Sequence, residues 1–311
     1  MTPRSELLAV DIGNTRVKIG LYEQKKLMTP DVLPQPEQMF VSPADRLQDL
    51  EFQLREFLVS GSAKWVISSV NAESEQKFLD WLKAKRPDDM IQRITGHEFG
   101  IPTTVDVPEK VGSDRLCNAK AALCLKDPGE PALVVDLGTA VTLDVLSGDG
   151  IFRGGAIIPG FQCAAKGLHK LTSQLPLVDA DELRLPEFPA ANTVSAIETG
   201  IFWGIVGAIR QFLALAHEER PALLILTGGN AYQVWEALLN PHANAKSESM
   251  ICNADRSVHT SVKCDSVPAK QETDTQTLQE ESGFIPVQMF HEVICCPYLT
   301  LSGIALCGTG A

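Results

Sequence analysis

Short apolar runs that end in glycine turns alternate along this chain with segments of helical periodicity. Residues 7–10 form a continuous apolar run, and residues 17–21 alternate between apolar and polar or small residues after a turn. A continuous run indicates a buried strand, and alternation indicates a strand with one polar face. Because glycine and asparagine suit tight turns, the pattern predicts a β-hairpin with Asp11 at the end of its first strand.

The same pattern occurs a second time. Residues 133–135 run into Asp136-Leu137-Gly138-Thr139, and an alternating segment follows at residues 141–145. One Asp-x-Gly turn is common, but two copies that open two halves of a chain indicate an internal duplication. We therefore expect two lobes, residues 1–128 and 129–311, that each begin with a hairpin facing a shared cleft.

Helical periodicity fills the stretches between the hairpins. An apolar face recurs over residues 74–85, over a helix up to residue 126 that Ser113 or Asp114 would cap, and over a long segment that Thr193 would cap. Strands that alternate with helices predict an α/β fold with mixed sheets and flanking helices.

The long segment after Thr193 has two further features. Its apolar run, residues 199–209, stops at Arg210 and is expected to be too short to span a bilayer. The segment also contains three glycines whose spacing permits close packing of another helix: Gly200, Gly204 and Gly207. We therefore expect this helix to be deeply buried or to lie at a subunit interface.

A third glycine turn, Thr227-Gly228-Gly229, follows an apolar strand and precedes a helical pattern. Such a turn can direct backbone N–H groups at a phosphate or a nucleotide sugar. It can equally be a β–α turn that requires glycine for its geometry. The pattern leaves both interpretations open.

Residues 246–282 differ in composition from the rest of the chain, because they contain no aromatic residue and show no regular period. Such a segment buries too little apolar area to offset the entropy of ordering. We interpret it as a flexible insertion in the second lobe.

The composition of the chain excludes several classes of protein. The chain has 311 residues, 44% of them hydrophobic, which is typical of a globular protein. Its net charge of −12 disfavours binding to nucleic acid and to anionic membranes.

The cysteines and histidines do not indicate a metal site, because the eight cysteines include no CxxC pair and the six histidines have no metal-binding spacing. Scattered cysteines are typical of a reducing compartment, and the first residues lack a signal-peptide pattern. We expect a cytoplasmic protein.

Two acid-bearing hairpins suit phosphoryl transfer from ATP. Turn amides can bind phosphate oxygens, and carboxylates can hold hydrated Mg²⁺ or another cation. The candidates for contact with the phosphates are Asp11, Gly13, Asn14, Thr15 and Lys18. The alternative is a structural hairpin whose aspartate caps its own turn, and the second copy of the motif weakens that alternative.

The sequence Gly112-Ser113-Asp114-Arg115 precedes a predicted helix. Its carboxylate could accept a proton from a substrate hydroxyl, and its guanidinium could pair with a substrate carboxylate or with the transferred phosphoryl group. The alternative is an N-cap aspartate followed by a salt-bridged arginine.

Taken in order, these motifs resemble those of the type III pantothenate kinase family. The matching segments are residues 11–15, 67–70, 112–115, 136–140, 154–160, 192–197, 227–229 and 297–303. The resemblance covers roughly residues 6–241 and 291–304, and the ordered series is specific whereas no single element is.

The resemblance implies a fold, an activity and partners. The fold is that of actin-like ATPases, with two ribonuclease-H-like lobes. The activity is the ATP-dependent phosphorylation of pantothenate to 4′-phosphopantothenate, the first step of coenzyme A synthesis. The implied cofactors are ATP, Mg²⁺ and K⁺ or NH₄⁺, and the implied assembly is a homodimer.

The resemblance also implies roles for individual residues. ATP would contact Asp11, Ile12, Gly13, Asn14, Thr15, Arg16, Val17, Lys18 and Thr139. Pantothenate would contact Gly112, Ser113, Asp114, Arg115 and, across the dimer interface, Thr193. Asp114 would accept the proton of the pantothenate hydroxyl, Asp136 would bind the monovalent cation, and Asp11 is a candidate for holding Mg²⁺ through water.

The chain departs from the family pattern at two positions. Val105 stands where the family has a tyrosine that shapes the pantothenate pocket, and Asn71 stands where a proline is common. Two alternatives therefore stay open. One is a kinase of another small hydroxyl compound, and the other is an accessory transcriptional regulator that retains the fold, although the acidic surface disfavours direct DNA contact.

Overall fold

The computed structural model describes residues 6–24, 27, 32–55, 62–180, 185–216, 222–239, 260–263, 290 and 292–309. The chain divides into two compact units. The first comprises Met1–Asp127, Gly150–Phe152 and Tyr298–Ala311, and the second comprises Pro128–Asp149 and Arg153–Pro297. The division differs from the sequence expectation chiefly at the last helix, which the sequence assigned to the second lobe.

The first unit is built on a five-stranded sheet with the order β3-β2-β1-β4-β5. Its strands are β1 (Glu6–Ile12), β2 (Arg16–Glu23), β3 (Gln38–Pro43), β4 (Lys64–Ser69) and β5 (Met90–Arg93). β1 pairs antiparallel with β2 and parallel with β4. The predicted hairpin is confirmed, and the apolar run at residues 7–10 is completely buried.

Helices cover this sheet because each presents an apolar face to it. They are α1 (Leu47–Leu54), α2 (Ala72–Lys85), α3 (Ser113–Ala122) and the last helix of the chain, α7 (Leu299–Gly308). α2 buries Phe78 and Leu82, and the Phe78 ring meets the Trp65 ring of β4 edge to face at 6.0 Å between centroids.

The last helix, α7, is part of the core of the first unit and packs against α3, β1, β2 and β4. The Ser302 hydroxyl donates to the Pro34 carbonyl at 2.6 Å, and the Thr300 hydroxyl donates to Asn118 Oδ1 at 2.8 Å. A Cβ on Gly303 would overlap the Cys117 backbone, so only glycine permits this approach of α7 to α3. The expectation that this helix belongs to the second lobe rested on its position in the chain alone, because a helix that is apolar all round specifies no partner.

The second unit repeats the architecture of the first. Its sheet has the order β10-β11-β9-β6-β7-β8, formed by β6 (Ala132–Leu137), β7 (Ala140–Leu146), β8 (Phe152–Pro159), β9 (Leu223–Gly228), β10 (Thr260–Lys263) and β11 (Glu292–Cys295). β6 pairs antiparallel with β7 and parallel with β9. Apart from β10, this order matches that of the first sheet, which confirms the predicted duplication and the α/β class of mixed sheets with flanking helices.

The helices of the second unit are α4 (Phe161–Leu171), α5 (Thr193–Ala216) and α6 (Ala231–Leu239). The N-terminus of α5 is capped by Asn192, whose Oδ1 accepts from the Ser195 N–H at 3.0 Å. The prediction that Thr193 is the cap is therefore wrong by one residue, because the carboxamide of Asn192 reaches the exposed N–H group first.

Among the described residues, α5 is the one helix with the length and hydropathy of a membrane span. The apolar run at residues 199–209, which the sequence indicated to be too short for a span, is part of this longer helix of 24 residues. Its apolar side chains nevertheless pack in the core of the second unit beside Val135 and Leu226. The expected deep burial of α5 is found on one face only. The three glycines lie on its open face, because a Cβ on any of them would meet no neighbouring atom of the described residues within 4 Å.

The strand β10 lies inside the segment that the sequence suggested to be a flexible insertion. Residues 260–263 pair antiparallel with β11 at the edge of the sheet, so the interpretation is wrong for these four residues. The other residues of 246–282 lie outside the described part of the chain.

Candidate active site

The candidate residues of the first unit lie where β1 and β4 end. Parallel pairing sets Asp11 beside Ser68 and Ile12 beside Ser69. The turn after β1 is closed by the Gly13 N–H, which donates to the Arg16 carbonyl at 3.0 Å. Since ligands of α/β sheets bind at the carboxyl ends of strands, this edge has the expected position for a site.

Asp11 is nearly buried, with 8% of its surface exposed. Antiparallel pairing places Lys18 directly opposite, and Lys18 Nζ lies 3.5 Å from Asp11 Oδ2. The ammonium group offsets the charge of the carboxylate at the base of the turn. The pair thus brings a cation and an anion to the position predicted for the ATP phosphates.

The remaining residues of the turn divide into two groups. Asn14, Thr15 and Arg16 are exposed, so their side chains are accessible to a ligand. Ile12 and Val17 are completely buried in the core of the first unit. A ligand could contact these two residues only through the main chain.

The Gly112-Ser113-Asp114-Arg115 segment begins α3 beside the same edge. The Ser113 hydroxyl donates to the Ser69 carbonyl at 3.1 Å, and Asp114 Oδ1 accepts from the Arg115 N–H at 2.8 Å. The cap position is occupied by Gly112, and the helix ends at Ala122. The prediction of Ser113 or Asp114 as N-cap is therefore wrong, because both side chains make other contacts.

Two candidate carboxylates share one buried neighbour. Cys117 is fully buried and its Sγ lies 3.6 Å from the Ser68 hydroxyl. Burial raises the pKa of the Cys117 thiol well above its ordinary value, and the charges of Asp11 and Asp114 raise it further. The charges of Asp11 and Asp114, which the sequence linked only by motif, therefore both act on the same thiol.

Arg115 is positioned by a residue that the sequence did not indicate. Its guanidinium carbon lies 5.3 Å from the centre of the Phe152 ring, a cation–π distance. The Phe152 main chain donates to the Pro102 carbonyl at 2.8 Å and accepts from the Thr104 N–H at 3.2 Å. The segment before Val105 is thus tied to the residue that supports Arg115.

The second unit has a related edge. Asp136 is half-buried at the end of β6, where parallel pairing sets it beside Thr227 of β9. Across the hairpin it faces Thr142. Thr139 is exposed in the turn, and its carbonyl accepts from the Gly160 N–H, just before α4, at 3.1 Å. The turn is therefore held by the main chain.

The third glycine turn has a structural requirement of its own. Gly228 has φ = 93°, and a Cβ there would lie 2.6 Å from the Leu137 backbone. This geometry supports the interpretation as a β–α turn that needs glycine. Binding of a ligand by its amides stays a prediction.

Thr193 and the candidate metal ligands are the remaining predicted site residues. Thr193 is exposed at the first turn of α5. It therefore lies on a different element from Asp136, which is at the end of β6. Within the described ranges, no three His, Cys, Asp or Glu side chains form a metal-binding cluster. A cation bound at Asp11 or Asp136 would therefore need water, carbonyl or phosphate oxygens as its other ligands.

Comparison with known proteins identifies the family. A family model described as type III pantothenate kinase matches residues 7–214. A type III pantothenate kinase of Dehalococcoides mccartyi is 32% identical over 240 residues, covering 74% of this chain and 89% of the relative. The type III pantothenate kinase of Petrotoga mobilis is 31% identical over 231 residues, covering 72% and 86%.

A solved glucokinase from an Antarctic psychrotroph aligns with 99% of this chain and 99% of its own, with a TM-score of 0.42 and 12% identity. Similarity of that degree adds no weight, and the assignment rests on the sequence matches. Because the family model matches residues 7–214, which include both Asp-x-Gly hairpins and the Gly112-Ser113-Asp114-Arg115 segment, and relatives of this name are 31% and 32% identical, the chain belongs to the type III pantothenate kinase family.

Proposed function

We propose that this protein transfers the terminal phosphoryl group of ATP to pantothenate, forming 4′-phosphopantothenate in the first step of coenzyme A synthesis. The observation that carries the proposal is the family match over residues 7–214. This range includes Asp11, Asp114, Asp136 and Thr193, so every residue to which the family resemblance assigns a role in ATP or pantothenate binding lies within it.

The first hairpin and Thr139 of the second would bind ATP. Lys18 and the amides of residues 14 and 15 are suited to phosphate oxygens, and Asp11 to the water ligands of Mg²⁺. Bound Mg²⁺ would neutralise charge that develops on the phosphates. The 3.5 Å contact between Lys18 and Asp11 supports this arrangement, because it keeps the ammonium group at the turn.

Residues at the start of α3 would bind and activate pantothenate. Asp114 would accept the proton of the attacking hydroxyl, and Arg115 would pair with the pantothenate carboxylate. The Phe152 ring under Arg115 supports this role, since it limits the orientations of the guanidinium. Gly112 and Ser113 would supply main-chain and hydroxyl contacts, and Thr193 a contact from a second copy of the chain.

A monovalent cation, K⁺ or NH₄⁺, would bind at Asp136. The pairing of the two hairpins supports this assignment. A lysine faces Asp11, but a threonine faces Asp136 in the corresponding hairpin. A monovalent cation at Asp136 would supply a positive charge that its paired residue, Thr142, does not carry.

A homodimer would form through the open face of α5. Its glycines, together with Val194 and Leu215, which are 43% and 60% exposed, offer a surface to which a second helix can approach closely. We place the enzyme in the cytoplasm. The six cysteines within the described residues are free thiols, which suits a reducing compartment.

Phosphorylation of another small hydroxyl compound is the second candidate function. Val105 favours it, because a half-buried aliphatic side chain replaces the family tyrosine. The regulator hypothesis gains no support from a particular residue. Release of ADP in the presence of Mg²⁺ and K⁺, measured with pantothenate and with a panel of other hydroxyl compounds, distinguishes the two kinase functions.

Substitution of Asp114 tests the proposed mechanism. Asp114→Asn keeps an oxygen for the Arg115 N–H but removes the proton acceptor, so turnover should fall by about 10²–10⁴-fold. Asp88→Asn, at an exposed turn of the same unit, is the matched control and should leave turnover unchanged. Near-normal ADP release by Asp114→Asn would exclude Asp114 as the base.

A further inference from the structure

We propose that Asn71 is a positioning residue for the ATP site. Its carboxamide fixes the orientation of the Asn14 side chain, so that the Asn14 NH₂ group points away from Asn71 and is presented to phosphate oxygens. This proposal rests on the proposed role of the first hairpin in ATP binding. It adds a residue outside that hairpin which determines how one of its side chains is used.

The orientation of the Asn71 carboxamide follows from its two contacts. Asn71 caps α2, and its Oδ1 accepts from the Ser74 N–H at 3.0 Å. A backbone N–H can only donate, so this contact identifies the oxygen of the carboxamide. The opposite group is therefore Nδ2, which donates to Asn14 Oδ1 at 3.3 Å. The oxygen of Asn14 is turned towards Asn71, and its NH₂ group is turned away.

The main chain of Asn71 is also held in place. Its N–H donates to the Ser69 hydroxyl at 3.1 Å, and its carbonyl accepts from the Glu75 N–H at 2.9 Å. The neighbouring Val70 N–H donates to the Ile12 carbonyl at 3.1 Å. These contacts join Asn71 to α2 and to the end of β1, so it is a rigid support for a side chain in the adjoining turn.

Asn14 has no counterpart in the second hairpin. Residues 13–16 separate the paired Ile12 and Val17, whereas only residues 138–140 separate the paired Leu137 and Val141. The first turn is thus longer by one residue. If Thr15 is matched to Thr139, the additional residue is Asn14. The added side chain is exposed, and Asn71 determines which of its two polar groups faces outwards.

The contact requires a side-chain amide at position 71, because it is the Nδ2 group that donates to Asn14. A neutral hydrogen bond to a ligand changes affinity by a factor of a few to about tenfold, and loss of the orienting contact should have an effect of that size.

Asn71→Ser isolates the orienting contact. Serine caps helices about as well as asparagine, so the stability of α2 is kept while the donor to Asn14 is lost. We expect the Kd and KM for ATP to rise about three- to tenfold, with kcat and the melting temperature essentially unchanged. Gln76→Ser, on the exposed face of the same helix, is the control and should alter none of these quantities.

A second substitution shows whether Asn71 acts through Asn14. In an Asn14→Ala background, Asn71→Ser should cause no further loss of ATP affinity, because coupled residues are not additive. Additive losses, or a fall in melting temperature that accompanies the loss of affinity, would overturn the proposal in favour of a purely structural role for Asn71.

Calorimetric titration with ATP alone separates this proposal from the proposed function. If the unaltered chain binds ATP but does not phosphorylate pantothenate, the function fails, and weaker ATP binding by Asn71→Ser still supports the positioning role. If pantothenate is phosphorylated and Asn71→Ser binds ATP normally, only the positioning role is overturned. Failure of the unaltered chain to bind ATP overturns both.

Discussion

The two Asp-x-Gly hairpins occupy the same place in two sheets of the same strand order, yet they differ in what faces the aspartate. Lys18 lies opposite Asp11, and Thr142 lies opposite Asp136. The first hairpin thus has a covalently attached cation, whereas the second offers a carboxylate without a lysine opposite it. The two hairpins therefore share their strand pairing, and the residue at one paired position gives them different electrostatics.

Main-chain hydrogen bonds hold both turns. The Gly13 N–H donates to the Arg16 carbonyl in the first, and the Gly160 N–H donates to the Thr139 carbonyl of the second. The first turn is also contacted by the side chains of Ser69 and Asn71. Substitution of either of these side chains therefore removes a contact to the first turn.

The largest effect in this comparison is expected at Asp11. Asp11→Asn removes the charge that holds Lys18 at the turn and that would order the water around Mg²⁺. Turnover should fall by about 10²–10³-fold, as measured by ADP release at saturating pantothenate. Asp80→Asn, exposed on α2, is the control. A loss smaller than about fivefold would show that the first hairpin does not depend on its carboxylate.

A smaller effect is expected when the second hairpin is made to resemble the first. Thr142→Lys places an ammonium group opposite Asp136, as Lys18 is placed opposite Asp11. The ratio of rates with and without K⁺ should then fall to within about twofold of one, since a fixed cation substitutes for the mobile one.

Thr142→Met is the matched control, because it adds a long side chain without a charge. It should keep the K⁺ response of the unaltered chain. If Thr142→Lys still requires K⁺ while folding normally, the monovalent cation does not act at Asp136.

The smallest effect is expected on the free energy of unfolding, when a cysteine near each hairpin is replaced by serine. Cys117 is fully buried close to Asp11, and Cys163 is exposed near the start of α4. Cys117→Ser should lower the free energy of unfolding by about 1–2 kcal/mol, because a hydroxyl is costly to bury. Cys163→Ser should change it by less than about 0.5 kcal/mol. Urea titrations with identical midpoints for both variants would contradict this difference.

The sequence predicted those features whose causes are local. A continuous apolar run followed by Asp-x-Gly specifies both hairpins, because strand, turn and strand are adjacent in the chain. It did not predict the cap at Asn192, where neighbouring polar residues compete for the same N–H group. It also missed Phe152 beneath Arg115, because that contact joins residues distant in sequence.

Asn71 illustrates an intermediate case. The sequence marked it as a departure from the family, but its effect depends on a 3.3 Å contact with Asn14 across the end of the sheet. No periodicity or composition encodes such a contact. It can be recognised only when the register of β1 and β4 is known.

The placement of α7 has a consequence for biosynthesis. A ribosome makes β1, β2, β4 and α3 early, but the helix that packs against all four follows the whole second unit in the chain. Domains made first usually fold first during translation. Here the apolar surface of the first unit that packs against α7 stays uncovered until residues 299–308 are synthesised. The unit that is made first is therefore the last to complete its core.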